Sequence, residues 1–249
     1  MHRPVGPWSS SVHELLRHLE NVGYSEAPRF LGIDDDGHEM LTLIEGQVGH
    51  YPLPRPFWSD DALRGAGQLL RRFHDATASF ASSSATGWQL TPPDDLPIEV
   101  ICHNDFAPYN CVFRDNLPVA MIDFDMAAPG SRAWDLAYTA YRFVPLTSPV
   151  HWAQFGLPSG YSDEQRLAVL LDAYGLDRRA GFIELVERRI RAIHDFTESL
   201  EAERTPAGER VRRERHVASY DRDLEWLSLN ARRLGGAIGS EWSSPGDRE

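Results

Sequence analysis

Apolar residues recur along the chain with two different periods, and the alternation between them sets out its elements. Val12, Leu15, Leu16, Leu19 and Val22 fall on one face of a helix predicted over residues 10–22, with Ser10 and Ser11 available as N-caps and Gly23 as its stop. Arg29 to Ile33 and His38 to Ile44 read instead as two short strands, joined as a hairpin through Asp34-Asp35-Asp36-Gly37. Glu45-Gly46 closes this region, and the proline-rich stretch from Tyr51 to Phe57 predicts a crossing segment. Ser59 opens a second helix whose apolar stripe is Leu63, Leu69, Leu70 and Phe73, and the stretch from Ser79 to Thr86, followed by Pro92 and Pro93, predicts a loop. From Ile98 to Asp123 the pattern becomes brief apolar runs around polar clusters: Ile98 to Cys102, Cys111 to Phe113 and Val119 to Ile122. Beyond Ala133 helical spacing dominates, near 131–142, 163–175, 180–203 and 208–233, and the tail from Gly235 is expected to fray.

This order predicts an α+β chain. A small α/β piece over residues 1–46 is followed by a larger, mostly helical part over 47–234 and a disordered tail over 235–249. Polar residues concentrate in the strand-and-loop insert of the larger part, an arrangement that suits a cleft between two lobes.

Charge and composition narrow the chemistry. A formal net charge of −12 argues against nucleic acid and mildly favours a cationic small-molecule partner, although an acidic surface serves solubility equally well. No apolar run is long enough to span a membrane and the start has no signal-peptide pattern, so a cytoplasmic protein is expected. The two cysteines, Cys102 and Cys111, read as reduced core fillers. All 25 basic residues are arginine, so any step that ordinarily uses a lysine must use an arginine here.

The densest polar cluster is His103-Asn104-Asp105-Phe106-Ala107-Pro108-Tyr109-Asn110, set between two apolar runs, with Asp123-Phe124-Asp125 following the next run. Asp105 precedes Asn110 by five positions, and Asp123 lies thirteen beyond it. Phosphoryl transfer needs a carboxylate beside the attacking hydroxyl and oxygen ligands for magnesium, and this spacing matches the kinase pattern H-x-D-x-x-x-x-N with a second aspartate after a hairpin.

The flanking residues are more specific. His103-Asn104-Asp105 with Asn110, then Ile122-Asp123-Phe124-Asp125-Met126-Ala127, Gly130 and Trp134-Asp135-Leu136-Ala137, resemble the aminoglycoside phosphotransferase and choline kinase-like family. The resemblance implies a protein kinase-like two-lobe fold with a small, shortened β-containing N-lobe. It also implies ATP and Mg2+ as cofactors and a small-molecule hydroxyl as acceptor. Position by position, it implies Asp105 as catalytic carboxylate with His103 beside it, Asn110 and Asp123 as magnesium ligands, and His103 and Asp135 as supports that hold the loop through hydrogen bonds. On the nucleotide side it implies Arg3 in place of the phosphate-binding lysine and Leu43 and Ile44 against adenine. His13 aligns with the helix acid that ordinarily pairs with the phosphate-binding residue, with Glu14 adjacent.

The resemblance begins near the family's third strand, and no glycine-rich phosphate loop precedes Arg3. Two other readings therefore stand beside an active kinase: a pseudokinase that keeps a ligand pocket, and a metal-dependent hydrolase using His103, Asp105 and Asp123.

Overall fold

The computed structural model describes residues 1–80, 87–91, 93–203, 208–209, 213 and 216–239. Helix α1 spans Ser9–Asn21 and buries Val12, Leu15, Leu16 and Leu19, the face its spacing predicts. It begins slightly earlier than expected, so Ser10 and Ser11 lie inside it rather than at its N-cap. Trp8 stands at the N-cap without a side-chain bond, and the Ser9 hydroxyl accepts from Gly6 N–H instead. Gly23, at φ 77°, ends the helix and donates to the Glu20 carbonyl.

Strands β1 (His2–Arg3), β2 (Phe30–Ile33) and β3 (Glu39–Leu41) form an antiparallel sheet in the order β1-β3-β2. The predicted hairpin between β2 and β3 is present. Asp34 closes it by accepting from the backbone N–H groups of Asp36 and His38. A second antiparallel sheet joins β4 (Gln47–Val48) to the hairpin of β6 (Cys111–Arg114) and β7 (Leu117–Met121), whose turn places Asp115 and Asn116 at φ 51° and 66°. Gly46, just before β4, could not be another residue without movement: a Cβ there would lie 2.6 Å from the Phe113 carbonyl oxygen. Strand β5 (Val100–Cys102) pairs with β8 (Ala128–Gly130), which brings the polar loop after Cys102 beside the segment that follows Asp123.

Helix α2 (Asp60–Thr77) starts where Ser59 predicts, with its hydroxyl accepting from Ala62 N–H, and its stripe from Leu63 to Phe73 is fully buried. It is the central beam of the larger part. Around it run α3 (Arg132–Phe143), the short α4 (Trp152–Phe155), α5 (Asp163–Tyr174), α6 (Phe182–Ala202) and α7 (His216–Ala237). One apolar cluster runs from Val12 of α1 through α2 and α3 to Leu234 of α7, so the small part sits on the same core as the large one. His18 of α1 strengthens that seat by bonding the Ala76 carbonyl of α2 at 2.8 Å.

Four elements absent from the sequence reading share a cause. Strands β1, β4 and β8 and helix α4 are two to four residues long, too short for either period to register. Helix α7 continues through Gly235 and Gly236 to Ala237, beyond the predicted start of fraying, because Leu234 and Ile238 are buried against the core. Most of the remaining tail, and part of the segments expected as the 79–86 loop and the start of the last helix, lie outside the described residues. No described helix is long and apolar enough to cross a membrane.

Phe73 is fully buried and meets Tyr24, His103 and Phe124. Phe73→Ala should lower unfolding stability by about 3–5 kcal/mol, read as a lower denaturant midpoint at unchanged slope.

Candidate active site

The loop between β5 and β6 is held from beneath by one carboxylate. Asp135, in the first turn of α3, is fully buried, and its Oδ2 accepts from the backbone N–H of His103 at 2.6 Å while its Oδ1 accepts from that of Asn104 at 2.8 Å. His74 of α2 bonds Oδ2 at 3.0 Å through Nε2, and its Nδ1 meets the Tyr174 hydroxyl at 2.7 Å. Burial raises the Asp135 pKa, but the hydrogen bond and charge of His74 and the His103 contacts outweigh it, and the carboxyl lies below its ordinary value. Burial pulls the His74 pKa down, and Asp135 only partly opposes this. The pair is therefore a buried carboxylate anchored by a buried imidazole. Sequence reading found Asp135 but not His74, which sits 61 positions away on another helix.

Asn104 takes φ 62° and Asp123 takes φ 65°, the left-handed region where Asn and Asp are tolerated best among residues with a side chain. The turn at Asn104 sends Asp105 up from the anchored backbone. His103 is fully buried: Nε2 bonds the Ile122 carbonyl at 3.0 Å and Nδ1 receives the Asp105 N–H at 3.4 Å. Both ring nitrogens of His103 are engaged inside the protein and tie the loop to the end of β7. Neither nitrogen is free for a metal, which removes the donor that a His103-centred hydrolase needs.

Asp105 is partly buried and carries three donors. Tyr109 and Tyr138 hydroxyls reach Oδ1 at 2.9 and 2.8 Å, and the Asn110 amide nitrogen reaches Oδ2 at 2.8 Å. Burial lifts its pKa, and these hydrogen bonds together with the charges of His103 and Arg142 offset the lift only in part, leaving it above the ordinary carboxyl value. Asn110 also donates to the Asp105 carbonyl at 2.9 Å, so its amide nitrogen faces the loop and its amide oxygen is left to accept. The backbone joins Asn110 to the next motif, since Ile122 N–H donates to the Asn110 carbonyl at 3.0 Å. Asp105, Asn110 and the residue before Asp123 are thus linked in a continuous chain of hydrogen bonds.

Asp123 is half exposed and, with Arg3, Glu39, Leu43, Ile44 and Phe124, borders a cavity of about 250 Å3 between β3, β4 and the end of β7. Leu43 is 78% exposed and Ile44 less so, and both line this cavity together with Arg3. Arg3 meets three acids: Nε lies 2.5 Å from Glu39, Nη1 lies 3.1 Å from Asp123, and Nη2 contacts Asp125. Burial opposes its charge, but Asp125, Asp123 and Glu39 outweigh that and hold its pKa above the ordinary value. Asp125 in turn sits above its usual range through burial and the neighbouring Asp123, with Arg3 opposing. Asn110, Asp123 and Asp125 carry oxygens of the kind a hard divalent ion takes, and Arg3 bridges the two carboxylates.

The acid that pairs with Arg3 is a departure from expectation. Glu39 of β3 takes that place, and His13 of α1 bonds its other oxygen at 2.6 Å while stacking on Phe30. Glu14, the nearby helix acid, is exposed. A signal was present: Glu39 and Leu41 share the inward face of β3, and a carboxylate on a core-facing strand position requires a partner.

Known proteins resemble this chain in sequence and in fold. Residues 85–182 match the model of the phosphotransferase enzyme family. The trifolitoxin immunity protein of Rhizobium leguminosarum bv. trifolii is 36% identical over 96% of this chain and 92% of its own length. The gentamicin complex of APH(2")-IIa superposes with a TM-score of 0.56 at 14% identity, covering 88% of this chain and 80% of the other. A choline/ethanolamine kinase family protein of Mesorhizobium loti superposes with a TM-score of 0.51 at 14% identity, covering 90% and 85%. At such identities the structures speak for the fold, which is the protein kinase-like one with a small sheet-bearing lobe and a larger helical lobe. On the sequence match that spans nearly its whole length and on the matching motif region, the chain belongs to the phosphotransferase enzyme family.

Proposed function

We propose that this chain transfers the γ-phosphoryl group of ATP to a hydroxyl of a small molecule, with residues 1–46 on the nucleotide side and 47–234 on the acceptor side. The observation that carries the reading is the bonded series Asp105–Asn110–Ile122, which joins the first motif to Asp123 at the rim of the nucleotide-side cavity. Asp105 orients the acceptor hydroxyl and takes its proton as the oxygen attacks phosphorus and the bond to ADP breaks. Asn110 and Asp123 would hold magnesium, which when bound would supply charge neutralisation on the triphosphate. Leu43 and Ile44 flank the adenine. Arg3 reaches the phosphates from its place among Glu39, Asp123 and Asp125, exchanging carboxylate partners for phosphate oxygens as nucleotide and metal enter.

The relationship to an immunity protein over 96% of the chain supports a protective role in which the acceptor is an antibacterial compound. Expression in a strain sensitive to that compound should raise its tolerance, and Asp105→Ala should remove the gain. Equal protection by the Asp105→Ala chain would favour sequestration by a ligand-binding module over phosphorylation.

In vitro, Asp105→Ala should lower kcat by about 10²–10⁴-fold while nucleotide binding persists. Asp123→Ala should weaken the magnesium-dependent part of ATP binding, measured by calorimetry with and without the metal. Acceptor-independent behaviour of both variants would count against the assignment.

The raised pKa of Asp105 fixes the direction of a pH effect. The ionised form accepts the proton, so activity should fall as pH drops through that pKa. Tyr138→Phe removes a donor that favours the ionised form, so the acidic limb of the pH–rate profile should move to higher pH. A limb that stays in place would detach Asp105 from the profile.

A further inference from the structure

A cavity of about 670 Å3 opens on the acceptor side, lined among others by Tyr51, Tyr141, Tyr220, Arg142, Arg222 and His151. It lies one layer of side chains from Asp105. Tyr109, which donates to Asp105, packs edge-on against Tyr51 at 6.2 Å, and the Arg142 guanidinium sits 5.4 Å from the centre of the Tyr109 ring.

The electrostatics of this lining run against those of the chain as a whole. The protein carries a net charge of −12, yet among the described residues no Asp or Glu lines the cavity and two arginines do. Arg142 is caged by rings, with Tyr51 at 5.8 Å and Tyr141 at 5.2 Å as well as Tyr109, and its buried Nε has no hydrogen-bond partner. Arg222 is exposed and donates from Nε to His151 at 3.2 Å.

The nearby acid, Asp223, is buried and taken up internally. It accepts from the Tyr141 hydroxyl at 2.6 Å, from Ser148 N–H at 3.2 Å and from the Thr147 hydroxyl, and it lies 3.0 Å from His151 Nδ1. Nor does the wall supply charge through its phenols: burial pushes Tyr51 up to about 12, with Arg142 opposing. Asp195, Glu198, Glu201 and Glu203 of the α6 region, acids that could have attracted a cationic acceptor, line none of the cavities described above.

We propose that this cavity binds the non-reacting end of the acceptor and that this end is anionic, a carboxylate or similar oxyanion on a flat apolar body, held by Arg142 and Arg222 between the tyrosine rings. Two guanidinium forks match an oxyanion, and the rings offer stacking faces. The location rests on the kinase reading, because it takes Asp105 as the reacting end. The charge preference stands on the lining alone.

The test uses three probes with one phenol body and different ends, 4-hydroxyphenylacetate, tyrosol and tyramine, titrated by calorimetry into the full chain without nucleotide. 4-Hydroxyphenylacetate should bind about tenfold or more tightly than tyramine, with tyrosol between them and the preference shrinking as salt rises. Arg222→Gln, at an exposed position where folding is not at risk, should weaken the anionic probe about tenfold and leave tyrosol unchanged. Arg142→Gln should do the same, with circular dichroism confirming that it folds. Tyramine binding as tightly as the anion, no effect of Arg222→Gln, or no binding of any probe at its solubility limit would each overturn the proposal. The two readings fail separately. Arginine-dependent anion binding in a chain with no phosphoryl transfer would sink the kinase assignment alone, whereas turnover of amine acceptors without anion preference would sink this proposal alone.

Discussion

The site depends on one buried carboxylate. Asp135 receives two consecutive backbone N–H groups of the loop and an imidazole from α2, so α2, α3 and the loop are joined at a single residue. Without it, two buried backbone donors would lack acceptors, each costing about 1–3 kcal/mol, and the loop would lose the support from which Asp105 projects. The left-handed turn at Asn104 is tolerable because Asp135 and Arg189, whose guanidinium bonds the Asn104 carbonyl at 2.6 Å, hold it from both sides.

Above that anchor, charge is distributed by pairing. The cavity between β3, β4 and the end of β7 brings Arg3 together with Glu39 and Asp123, and Asp125 also pairs with Arg3. Three acids around one arginine leave an excess of negative charge there, a favourable setting for a divalent cation. His13 of α1 holds the other oxygen of Glu39, so a helix and a strand share the fixing of that acid.

The cavity lined by Tyr51, Arg142 and Arg222 has the opposite balance. The nearby acid, Asp223, is engaged internally by hydroxyl, backbone and imidazole groups, and two arginines line the space together with tyrosines. A chain of strongly negative net charge can thus present a locally cationic recess, because the interactions that decide binding act over a few ångströms and are screened beyond about a Debye length.

The amino-acid sequence by itself determined the long helices, the hairpin at Asp34 to Gly37 and the motif order from His103 to Asp135. These rest on local periodicity, turn chemistry and spacing, which neighbouring residues encode directly. Tertiary structure decided the pairing of strands only two or three residues long, the use of Glu39 in place of a helix acid, and the closure of His103 inside the protein. It also decided the tyrosine donors on Asp105 and the placing of Arg142 and Arg222 on the wall of one cavity. Each of these brings together residues that packing alone makes neighbours: His74 and Asp135 lie 61 positions apart and Arg3 and Asp123 lie 120 apart, and contacts at such separations leave no trace in a local pattern.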